Sequence, residues 1–210
     1  MQWYRKVMTF EELRLIFIVY TAALLPILIL IKNKETTPSW IMHAYLISLF
    51  VCIFGWELWF TYGLVDGLPV DMRRSDVLSI WLPIHVNWLL NSLGDAGIVC
   101  LGGLWLMWIS HDKDLSIFKE WKWGAFLVLL AWCIGQNLIV ELFLYEDQLG
   151  VGKPISWAPF TPLGPYINPI LFNYGDRTVA LQSQVPWLIM SVFLYKLVIY
   201  LNNRDDKRRI

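Results

Sequence analysis

The sequence is short of charge. Asp, Glu, Lys and Arg make up only 16% of its 210 residues, against about a quarter in soluble domains. The shortage falls on long apolar runs that no water-facing surface explains. Seventeen basic and seventeen acidic residues cancel, so no net field gathers nucleic acid. Cysteine and histidine are scarce as well, with three of each. Cys52, Cys100 and Cys133 lie inside apolar segments without CxxC or CxxH spacing, which points away from a zinc site or a disulfide framework. No GxSxG, HExxH or DDxxD pattern occurs, so the common hydrolase, zinc-protease and magnesium–diphosphate signatures are missing. What is abundant is apolar: 57% of residues are hydrophobic, with 13 Trp, 11 Phe and 9 Tyr. This composition excludes a disordered chain and an ordinary cytosolic enzyme, and it fits a multi-pass membrane protein.

A spanning helix needs about 20 mostly apolar residues. The sequence supplies five such stretches, over about 13–31, 40–63, 87–109, 121–145 and 185–201. The expected fold is therefore an all-α transmembrane helical bundle forming one integral-membrane domain over 1–210. Five spans are favoured, with six or seven as alternatives. Pro83 interrupts the apolar run from Ser75 to Ser110, so 75–85 reads as an interfacial helix. The loop 146–184 holds five of the ten prolines among aromatic residues, and reads as a cap or re-entrant segment lying on the bundle. The basic tail Arg204–Arg209 favours a cytoplasmic C-terminus.

Ionisable residues inside spans are costly and usually face a bundle interior. Here they are Glu57, Asp95, Glu141 and Lys196. Asn87, Asn91 and Asp95 recur every four residues, placing them on one helix face, and Asn137 with Glu141 forms a second such pair. At the helical rise, Glu57 lies about 9 Å, Asp95 about 12 Å and Glu141 about 6 Å from the same membrane side. The acids thus gather in one leaflet, beneath the long loop. One lysine cannot neutralise two carboxyls at matched depth, so at least one of Glu57 and Asp95 is expected to be a neutral acid. For Lys196, a structural ion pair with Glu141 or Asp95, or snorkelling to the interface, outweighs a chemical role. Asn87, Gln136 and Asn137 divide evenly between a site role and ordinary hydrogen bonding between helices.

Residues 53–63, Ile-Phe-Gly-Trp-Glu-Leu-Trp-Phe-Thr-Tyr-Gly, carry a Trp-Glu pair in the second span followed by apolar and aromatic residues. This stretch resembles the integral-membrane terpene cyclases of meroterpenoid biosynthesis, small all-helical proteins that cyclise a prenyl chain by protonation from a buried carboxylic acid. The resemblance implies that Glu57 is the matching acid. It departs in the last span, where the family has a second essential aspartate and this chain has Ser191 and Lys196. The expectation is a membrane-embedded enzyme for acid-initiated cyclisation or isomerisation of a lipophilic isoprenoid substrate. Glu57 would donate the proton, and Asp95 with Asn91 would orient it or stabilise positive charge. Trp56, Trp59 and Trp88 would form an aromatic wall, with Asn137 and Glu141 also facing the substrate. Expected partners are a lipophilic small molecule and membrane lipid; no cofactor or metal is expected. The alternatives are a non-catalytic assembly subunit and a small proton-coupled transporter.

Overall fold

The computed structural model describes residues 8–65, 68–69, 72, 74–145, 169–175 and 177–208. It is an all-α bundle of five helices long and apolar enough to cross a membrane: Phe10–Lys32, Ser39–Tyr62, Ile84–Ser110, Trp123–Leu144 and Leu181–Lys207. The first is α1 (Phe10–Lys32). The second is α2 (Ser39–Phe54) continued, after a break at Gly55, by α3 (Trp56–Tyr62). A short α4 (Asp76–Trp81) precedes the third span, which consists of α5 (Ile84–Gly94), a π-helical segment (Asp95–Leu101) and α6 (Gly102–Ser110). The fourth is α7 (Trp123–Val140) with a π turn over Glu141–Tyr145, and the fifth is α8 (Leu181–Arg208). Two small antiparallel pairs lie between helices: β1 (Leu64–Val65) with β2 (Leu68–Pro69), and β3 (Ile170–Tyr174) with β4 (Arg177–Ala180).

Local sequence explains several of these boundaries. Thr9 caps α1, its side chain accepting from the Glu12 amide while Glu12 accepts from the Thr9 amide. This reciprocal box satisfies two donors that a bare helix start would leave open. Ser75 also donates to Glu12, which ties the segment before α4 to the start of α1. The helix expected over 75–85 is shorter than its apolar pattern. Leu82 leaves helical geometry and Pro83 caps the next helix, because proline disfavours α geometry in the residue before it. The fifth span begins at Leu181 rather than 185. Gln182, Ser183 and Gln184 look like loop residues in the sequence, yet all three are buried in the bundle. The cap expected over 146–184 falls largely on 146–168, outside the described residues; from 169 the chain forms the β3–β4 hairpin and then α8.

Two packing features fix the bundle. The α1 and α5 helices approach closely where glycine allows it: a Cβ on Gly94 would lie 3.4 Å from the Ala22 Cβ, and one on Gly97 only 2.4 Å from the Pro26 Cγ. Small residues at such crossings let helix backbones come together in lipid, where no hydrophobic force drives association. At the opposite end of α8, polar side chains bind the 111–122 connection. The Tyr195 hydroxyl donates to the Ile117 carbonyl (2.8 Å) and accepts from the Lys122 amide (3.1 Å). Asn202 and Asn203 donate to the Phe118 and Lys119 carbonyls, and Lys119 pairs with Asp206 at 2.6 Å. The largest apolar cluster lies above these bonds, around Trp40, Met107, Leu129 and Leu194.

Two substitutions test this packing. Gly97→Ala should force α1 away from the third span and destabilise the protein by about 1–3 kcal/mol. Tyr195→Phe should leave the half-buried Lys122 amide without its acceptor, at a cost of about 1–3 kcal/mol. Both are read as lowered thermal midpoints in detergent, and an unchanged midpoint would contradict the packing described.

Candidate functional site

A cavity of about 710 Å³ lies between α1, the third span and the fourth span, and Glu57 reaches it from α3. Most of its lining is apolar, including Leu15, Ile18, Val19, Ile98, Ile139 and Val140. Its polar lining is brief: Arg14, Glu57, Asn91, Asp95, Trp132 and Gln136.

The break at Gly55 delivers Glu57 to this place. Gly55 adopts φ −90° and ψ −116°, which ends α2 and starts α3 with a new direction. A side chain there is excluded, since a Cβ would meet the Val51 carbonyl oxygen at 2.4 Å. Glu57 then occupies the first turn of α3, where the helix dipole favours an acid. It is 4% exposed and lines the cavity together with Asn91 and Asp95.

Asp95 arrives by a different route. It opens the π-helical segment of the third span, a wide turn of the kind that recurs at functional sites. The widened turn leaves the Ile98 and Val99 carbonyls facing α7, and the Trp132 indole donates to both (3.3 and 3.1 Å). Asp95 is half-buried and accepts from the Trp56 indole at 2.8 Å. Trp56 in turn packs on Trp187 of α8, ring centres 5.1 Å apart. Asp95 therefore has one oxygen held from behind while the side chain borders the cavity.

Of the residues singled out by sequence, Glu57, Asn91 and Asp95 meet at the cavity. The others are placed elsewhere. Trp56 supports Asp95 without lining the cavity. Trp59 is 53% exposed on the outside of the bundle, because two further residues along a helix turn a side chain far from Glu57. Trp88 donates to the Ile53 carbonyl at 3.1 Å, bracing α5 against α2. Asn137 and Glu141 face α8. Glu141 accepts from the Ala180 amide (3.0 Å), the Ser183 hydroxyl (2.5 Å) and the Gln184 amide (2.8 Å). Asn137 donates to the Ser183 carbonyl and the Gln184 side chain, and accepts from the Trp187 indole. Both are thus occupied in joining α7 to α8. Lys196 lies on the exposed face of α8 and pairs with neither Glu141 nor Asp95, in keeping with a side chain that snorkels to the interface. Among the described residues, no group of three His, Cys, Asp or Glu side chains is arranged to hold a metal ion.

Three further residues line the cavity: Arg14 and Trp132, which were not named as site residues from the sequence, and Gln136, for which a site role and hydrogen bonding between helices were evenly balanced. The only available hint was spacing. Trp132, Gln136 and Ile139 recur at helical intervals on one face of α7.

No family model matches the chain, and no solved structure does. Two curated proteins are similar. An adenosylcobinamide-GDP ribazoletransferase of Pseudomonas putida strain GB-1 is 24% identical over 161 residues, covering 70% of this chain and 63% of that protein. One of strain F1 is 22% identical over 152 residues, covering 68% and 61%. The chain therefore spans less than two thirds of the length of either. Both are named as transferases, and this overturns the expectation of isoprenoid cyclisation. The stretch that suggested cyclisation, residues 53–63, is eleven residues of local pattern, whereas these similarities cover about two thirds of the chain.

The α7–α8 network has its own test. Glu141→Gln puts an amide group where the carboxylate accepts three donors. It should lower stability by about 1–3 kcal/mol, seen as a reduced thermal midpoint. Retained stability would show that the network is dispensable.

Proposed function

We propose that this chain is a membrane-embedded group-transfer enzyme. A lipophilic or amphiphilic substrate occupies the cavity, and the Glu57–Asp95 pair moves the proton that the transfer requires. One observation carries the reading: two carboxyls from separate helices, together with Asn91, border a single apolar cavity. A volume of about 710 Å³ suits a drug-sized group. A corrinoid carrying a nucleotide, the substrate in the relatives' name, would enter it only in part.

Group transfer to a hydroxyl or amine needs the acceptor's proton removed as the new bond forms, and the leaving group often needs one delivered. Two carboxyls in one dry pocket repel when both are charged, so they are best held with one proton between them. Such a pair can accept a proton at one member and offer it at the other, which typically speeds a reaction about 10²–10⁴-fold. The Trp56 indole keeps Asp95 oriented. Exclusion of water by the apolar walls strengthens each of these interactions. We place the C-terminus on the cytoplasmic side, from the basic residues Arg204, Lys207, Arg208 and Arg209.

The test uses the protein in membranes, supplied with adenosylcobinamide-GDP and a ribazole, with product followed by chromatography. Glu57→Gln and Asp95→Asn should each lower turnover about a hundredfold or more while the fold persists. Full turnover in both variants would sink the assignment of the pair. Absence of any ribazole transfer by the wild type would remove the substrate class suggested by the relatives.

A further inference from the structure

Gln136 lines the cavity but joins no two helices. Its Nε2 donates at 2.9 Å to the Cys133 carbonyl, three residues back on its own helix. Asn137 and Glu141, on the same helix, bond across to α8 instead. The bond to Cys133 also fixes which way the amide points, because only the nitrogen end of a Gln side chain can donate to a carbonyl. The oxygen, Oε1, is left without a partner among the described residues, and it is not enclosed by protein atoms.

The helix sets where that oxygen lies. Trp132, Ile139 and Val140 stand four before, three after and four after Gln136, and all three border the cavity. Gln136 is therefore in the middle of the face that α7 turns toward it. Depth follows from contacts with the third span. A Cβ on Gly103 would meet the Leu129 Cδ1 at 2.5 Å, and Trp132 bonds the Ile98 and Val99 carbonyls, so α7 runs antiparallel to that span. One turn beyond Trp132, Gln136 is level with Gly94 and Asp95. At this depth the two walls offer acceptors, the Asp95 carboxyl on one and Gln136 Oε1 on the other, with Glu57 bordering the same space. The Trp132 N–H is already engaged by the backbone.

We infer that Gln136 is a substrate-recognition residue, and that the cavity takes an amphiphile whose head carries two neighbouring hydroxyls, one reaching the carboxyl pair and the other donating to Gln136 Oε1. A hydroxyl that gives its proton to a carboxylate has no second hydrogen to offer, so Gln136 must be met by a different donor. An amine beside two acids holds a proton on the lone pair that would attack, which makes a hydroxyl the better match. An acceptor left unpaired among apolar groups costs free energy, and the second hydroxyl recovers that cost on binding. The inference deepens the group-transfer reading by naming the acceptor's head group, and it rests on that reading only for which hydroxyl reacts.

Binding rather than turnover tests it. The full chain, purified in a polyoxyethylene detergent that brings no hydroxyl-rich head of its own, is titrated with 1,2-decanediol and with 1-decanol, and binding is followed by thermal shift. Wild type should prefer the diol by about fivefold, the ratio expected for one neutral hydrogen bond. Gln136→Met, close in size but without the amide, should bind the two alcohols alike, with decanol binding unchanged. Gln136→Leu should do the same, and Lys196→Gln, altered outside the cavity, should keep the wild-type preference. A diol preference in Gln136→Met equal to that of the wild type would overturn the inference, as would no preference in the wild type. The preference is read without turnover, so its loss and a failure of the carboxyl pair to drive transfer are separate results.

Discussion

The hydrogen bond from the Trp56 indole to Asp95 is the interaction on which the arrangement of this bundle depends. A carboxyl in an apolar interior must find donors within the protein, because lipid offers none. Asp95 finds its donor on another span, at 2.8 Å. That donor is placed by the break at Gly55 and held from the other side by Trp187. Trp187 donates to Asn137, Asn137 bonds Gln184, and Gln184 bonds Glu141. One chain of contacts thus runs from the cavity through the second span to the junction of α7 and α8. Polar side chains of four spans are thereby joined in one network, and such networks specify a single arrangement when complete.

The same economy divides the acids by task. Glu141 is fully engaged by three donors and serves the joint between helices. Glu57 and Asp95 have fewer protein donors and share the cavity. A carboxyl surrounded by fixed donors has nothing left to give a substrate, whereas one held on a single side keeps capacity for proton transfer.

Backbone irregularity is concentrated where the site needs it. The second span breaks at Gly55, just before Glu57, and the third turns π-helical at Asp95. Regular helices would carry both acids along fixed faces set by their spacing. The break and the wide turn rotate them toward a common space, with the exposed carbonyls of the π segment taken up by Trp132.

The sequence by itself determined the membrane class and the five spans, since length and hydropathy are local properties. It also singled out Glu57, Asn91 and Asp95, because a charged or amide residue in an apolar run is conspicuous without any partner being known. Only the tertiary structure separated these three from Asn137 and Glu141, which have the same depth and spacing but face α8. The same was true of Trp59, turned outward two residues from Glu57, and of Gln182, Ser183 and Gln184, which read as loop and are buried helix. Arg14 was recognisable only from the cavity wall. The reason is common to all of them: periodicity fixes which residues share a face of one helix, while the neighbour met by that face is fixed by packing between helices distant in the chain.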